Sequence, residues 1–72
     1  MSRSIIYQVI GENIHLQRRR AHLSQEQLAE KVGLTTNYIG EVERAEKKIT
    51  LETLEKIAHA LHVKISDLLG NK

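Results

Sequence analysis

Three times in this chain an apolar residue, a Ser or Thr, and a second apolar residue fall at the same offsets. Leu23-Ser24 is followed by Leu28, Leu34-Thr35 by Ile39, and Ile49-Thr50 by Leu54. Ser and Thr favour the residue just ahead of a helix, because their side-chain oxygen accepts an orphaned backbone N–H of the first turn. An apolar residue before that cap packs on one at the fourth helical position, a hydrophobic staple that fixes how the chain enters the helix. Gln27, three residues after Ser24, adds the spacing of a capping box. With three helix starts written this way and no proline to interrupt them, the expected fold class is all-α.

The staples predict helices over about Gln25 to Val32, Thr36 to Ala45 and Leu51 to Leu61. Ahead of them Ile6, Ile10 and Ile14 recur every four residues and lead through Arg18 to Ala21, the period of a first helix from about Ser4 to His22. Leu51, Leu54, Ile57, Ala58 and Leu61 share one face of the fourth helix. Beyond His62, Ser66 is a cap candidate for a short fifth helix, Asp67 to Leu69, closed by Gly70. The 72 residues suffice for one small domain. Its core must be aliphatic, since Tyr7 and Tyr38 are the only aromatic residues.

Gly33, between Val32 and Leu34, suits a sharp left-handed turn between the second and third helices. Ala29, four residues earlier, lets the third helix pass closely over the second, and Ile39 and Val42 are spaced to point back toward Leu28 and Val32. That is the skeleton of a helix-turn-helix over Gln25 to Arg44, although an ordinary helical hairpin would also use it. The other face of the third helix decides between them. Thr36, Asn37, Gly40, Glu41 and Arg44 are expected to project away from the core, and Thr, Asn and Gly are poor choices for a helix built only for stability. Short polar side chains near a helix N-terminus suit readout of base edges in the major groove.

The formal charge is only +2, so net charge is a weak argument for a nucleic-acid partner; the clustering of Arg18, Arg19 and Arg20, and of Arg44, Lys47 and Lys48, says more. The absence of Cys excludes disulfides and thiolate metal sites. No apolar run approaches the roughly 18–20 residues of a membrane span, and the opening Met1 to Tyr7 lacks a signal-peptide stretch. The default expectation is a soluble cytoplasmic protein.

Taken together, Ile10-Gly11-Glu12-Asn13-Ile14, Arg18, Leu23 through Ala29, Val32-Gly33-Leu34, Tyr38-Ile39, Val42-Glu43-Arg44 and Leu51 through Leu69 resemble a Cro/cI-type (Xre-like) DNA-binding domain. The resemblance implies a compact five-helix bundle of the lambda-repressor-like type over residues 10–69, with 1–9 as an extension and the start of helix 1, and 70–72 as a tail. It implies double-stranded DNA as partner, a recognition helix over 36–45, and a homodimer on a palindromic operator. By position, Gln25 matches a phosphate contact that also braces the third helix. Thr36 and Asn37 match base readers, with Tyr38 and Glu41 near enough to contribute, and Thr35 and Arg44 match phosphate contacts. Arg18 and Glu43 match a charged pair tying the first helix to the third. The family usually carries Gly and then Asn-Pro between its third and fourth helices, where this chain has Ala45, Lys48 and Ile49. Lys47 and Lys48 keep that loop basic and remain phosphate candidates. The loop and Tyr38-Ile39 look most like the small controller regulators of restriction-modification systems.

Glu41 has two readings, an acceptor for cytosine N4 or an outward acid with no role. The dimer surface expected is Val63, Ile65, Leu68 and Leu69, although any of these could instead close the monomer's core. His59 and His62 have a helical spacing that can hold a metal, but no third ligand is evident. No cofactor motif and no nucleophile–base pair appears, so an enzyme is not expected. The rival to a transcription regulator is an antitoxin or other protein-interaction module on the same fold, with a protein partner; a third possibility is the N-terminal piece of a longer repressor.

Overall fold

A computed structural model describes residues 5–70, as five helices: α1 Ile5–Arg20, α2 Gln25–Val32, α3 Thr36–Glu43, α4 Leu51–Leu61 and α5 Ile65–Leu69. Their ends share one device. His22, Gly33, Ala45 and His62 follow α1 to α4 in left-handed conformation, with φ of 61°, 72°, 62° and 60°. The next N–H in each case reaches back to close the helix: Leu23 to the Arg18 carbonyl, Leu34 to Ala29, Glu46 to Glu41 and Val63 to Ala58, at 2.8–3.1 Å. This pairing satisfies carbonyls that a helix end would otherwise leave open. At three of the four junctions the residue donating that bond is apolar (Leu23, Leu34, Val63), and the N-cap of the next helix follows it directly. One half-buried residue thus closes one helix and staples the next.

The caps stand where the sequence places them for α2, α3 and α4. Ser24, Thr35 and Thr50 accept the backbone N–H of Gln27, Tyr38 and Thr53, and Gln27 returns the bond to the Ser24 N–H at 2.8 Å. The fifth helix differs from expectation. Its cap is Lys64 and not Ser66, and Asp67 Oδ2 accepts the Lys64 N–H at 2.9 Å. Val63 and Leu68 therefore form a fourth staple with the same offsets as the other three. The first and third helices are also shorter than the periodicity predicts, because the left-handed His22 and Ala45 end them. Ser4, Asn71 and Lys72 lie outside the described residues.

Among the described residues twelve apolar side chains form the core, including Ile10, Ile14, Leu28, Ile39, Val42, Ile57 and Leu68. Leu51 does not join it and is 70% exposed. It opens α4, and a side chain there leans back past the helix start, beyond the end of the core. α1 and α3 meet at Gly11, where a Cβ would lie 2.6 Å from the carbonyl oxygens of both Val42 and Glu43. Backbone carbonyls cannot yield as a flexible side chain would, so this crossing requires glycine.

Gly11→Ala should accordingly separate α1 from α3 and destabilise the fold by about 2 kcal/mol, the range of overpacked cores. Ala45→Gly should do the reverse, relieving about 1 kcal/mol of left-handed strain. Urea denaturation of both variants checks the pair; a neutral Gly11→Ala would contradict the close crossing.

Candidate nucleic-acid interface

The third helix is fixed from behind. Ile39 and Val42 are buried, Ala29 packs in the core beneath it, and Tyr38 is half-buried against the same core. Thr36 and Asn37 are exposed at its N-terminal end and Glu41 is partly exposed. Gly40 departs from expectation. It does not face outward but is buried, and a Cβ there would lie 3.0 Å from Arg44 Nη1 and 3.6 Å from Gln25 Oε1. Its missing side chain makes room for two polar side chains to lie over the helix.

Glu43 is the centre of the polar contacts. Arg18 Nε donates to its Oε2 at 2.6 Å and Arg18 Nη2 to its Oε1 at 3.2 Å. Gln25 Nε2 donates to Oε1 at 3.1 Å, and His15 Nδ1 lies 3.0 Å from the same oxygen. Arg18 Nη1 also donates to the Leu23 carbonyl, at the α1–α2 junction. The Arg18 and Glu43 side chains are 9% and 5% exposed. Burial pushes the Glu43 carboxyl up, but hydrogen bonds from Arg18, His15 and Gln25, with the Arg18 charge, outweigh burial and hold it below its ordinary value.

Gln25 braces Glu43, so one amide hydrogen is committed and the other stays available. Thr35 Oγ1 accepts the Tyr38 N–H at 3.0 Å, leaving its own O–H to donate outward. Arg44 is exposed and pairs side-on with Glu46, Nε to Oε2 and Nη2 to Oε1, both at 3.1 Å. Lys47 and Lys48 are exposed on the loop between α3 and α4. Thr35, Thr36, Asn37 and the two lysines thus present polar groups to solvent, while Tyr38 is committed mainly to packing.

Several residues escaped the sequence reading. His15 joins the Glu43 contacts, and its position three residues before Arg18 on α1 was the available signal. Asn13 Nδ2 donates to the Leu68 carbonyl at 3.1 Å, binding α5 to α1. Gly11 was signalled by its own placement, since glycine inside a helix is costly without a close approach to justify it. His59 and His62 border an open depression with Lys31, Glu55 and Lys56. Among the described residues no three His, Asp or Glu side chains gather as metal ligands, and no helix is long and apolar enough to cross a membrane.

These features are those of a helix-turn-helix, and the HTH_3 helix-turn-helix family matches residues 14–68; the chain belongs to that family. It is similar to the control protein C.SmaI of Serratia marcescens, 47% identical over 64 residues that span 89% of this chain and 76% of that protein. Among solved structures, the hypothetical transcription factor NHTF from Neisseria superposes with a TM-score of 0.87 at 38% identity, covering 90% of this chain and 75% of that one. The restriction-modification controller protein C.AhdI from Aeromonas hydrophila superposes with a TM-score of 0.83 at 34% identity, covering 86% and 94%.

Glu43→Ala should leave the Arg18 guanidinium buried without its counter-charge and cost about 3 kcal/mol at neutral pH. Because the folded carboxyl titrates below its ordinary 4.5, the unfolded chain takes up the proton first as pH falls. The stabilisation is complete above that value and is lost as pH descends through the folded one. Chemical denaturation between pH 3 and 7 should show a steeper acid limb for the wild type than for Glu43→Ala, and coincident limbs would rule this linkage out.

Proposed function

We infer that this chain is a DNA-binding transcriptional regulator that reads a palindromic operator as a homodimer, with α3 in the major groove. The carrying observation is the division of α3: Ile39 and Val42 buried, Thr36 and Asn37 exposed at the end that enters a groove. The family membership and the control-protein relatives support the same reading. Thr36 and Asn37 are the proposed base readers, with Glu41 an acceptor beside them. Gln25, Thr35, Arg44, Lys47 and Lys48 are the proposed phosphate contacts, which set register and affinity without reading sequence. Tyr38 is proposed to hold the helix at its working angle and to offer only its outer edge. The protein works by binding and not by catalysis, in the cytoplasm where its operator lies.

One helix covers too few base pairs for genomic specificity, and two copies set about 34 Å apart would double the site. The dimer surface needs revision on structural grounds. Leu68 is fully buried as the partner of Val63 and is withdrawn from it. Leu69, 40% exposed, and the half-covered Val63 and Ile65 remain the proposed contact.

Selection of bound duplexes from a random pool should return a near-palindrome. Thr36→Ala with Asn37→Ala should erase the preference while leaving salt-sensitive, non-specific binding; retained preference would remove those residues from the reading role. Leu69→Glu should yield a folded monomer in sedimentation, with half-site affinity unchanged and full-site affinity lost. A Leu69→Glu dimer would place the interface elsewhere.

A further inference from the structure

Three helix junctions put an apolar residue directly after the left-handed turn, and the fourth puts Glu46 there. Leu23, Leu34 and Val63 pack against the core, whereas Glu46 is exposed and turns its carboxylate onto Arg44. The left-handed Ala45 between them brings the two side chains to the same side. Both carboxylate oxygens engage the Nε–Nη2 edge of the guanidinium, the edge best matched to a bidentate anion. The guanidinium is meanwhile laid over Gly40 beside the Gln25 amide, where the absent Cβ leaves space.

We propose that Glu46 is an internal competitor for the DNA backbone, occupying in the free protein the Arg44 edge that a phosphate takes in the complex. A carboxylate and a phosphate present similar paired oxygens to arginine, so one can replace the other without rebuilding the loop. Glu46 is 41% and Arg44 59% exposed, which keeps the pair exchangeable with solvent. Exchange leaves a carboxylate near the DNA, which lowers affinity for every duplex alike and leaves sequence choice to Thr36 and Asn37. Glu46 is therefore a setting for overall affinity, separate from readout. This rests on the DNA-binding reading above.

The test uses Glu46→Gln, which keeps the size and a hydrogen-bonding oxygen while removing the charge. Binding to a selected duplex and to an unrelated duplex is measured across a salt series, with Arg44→Gln and the double variant alongside. Glu46→Gln should tighten both duplexes by the same factor, up to about fivefold for an exposed pair, and steepen the salt dependence by up to about one released counterion. In the Arg44→Gln background the gain should shrink or vanish. Unchanged or weaker binding by Glu46→Gln, or an equal gain without Arg44, overturns the proposal while leaving the DNA-binding reading intact. A wild-type chain that binds neither duplex in a salt-dependent way overturns that reading, and the competitor with it.

Discussion

The Glu43 carboxylate is the point at which α1, α2 and α3 are tied together. Arg18 and His15 reach it from α1 and Gln25 reaches it from α2, while Glu43 itself closes α3. A few ångströms away Gly11 lets the α1 backbone press onto the carbonyls of Val42 and Glu43. One contact is steric and non-directional; the other is directional and charged. Together they set both the distance and the rotation of α3 relative to α1, which apolar packing alone would leave freer. A recognition helix needs that fixity, because base readout tolerates little displacement of its side chains.

Most of the fold was legible because it is written in local signals. Each of the three staples needs only six residues of sequence to be seen, and all three close as read. The fourth, Val63 with Leu68, has the same offsets but a Lys at the cap, a residue that cannot accept the first-turn N–H. Asp67 supplies the compensating bond from inside the helix, so the helix starts two residues before the point that Ser66 predicts, and Leu68, which the sequence leaves open between dimer surface and core, belongs to the core. The lesson lies in which half of the motif is diagnostic: the apolar spacing held at all four helices, the cap chemistry at three.

Long-range features were harder. Helical periodicity puts Gly40 on the outward face of α3, where the structure buries it instead. What periodicity omits is that side chains from other positions can fold over that face, as Gln25 and Arg44 do. Likewise the Arg18–Glu43 pair came only through a family resemblance, since nothing local links residues 25 apart in the chain.

The α3–α4 junction shows how such a fold varies without losing its frame. The family's customary glycine is Ala45 here, yet the chain still makes the left-handed turn, at φ 62°, and still closes α3 with the Glu46 N–H at 2.8 Å from the Glu41 carbonyl. The strain this imposes is modest, about 1–2 kcal/mol, and His22 and His62 carry the same kind of strain at two other junctions. What the turn needs is the backbone geometry, and Ile49 with Leu54 recovers the staple three residues late. The intervening positions are thereby released from packing. They hold Glu46, Lys47 and Lys48, so the longest of the four junctions is also the one that carries exposed charge beside the proposed interface.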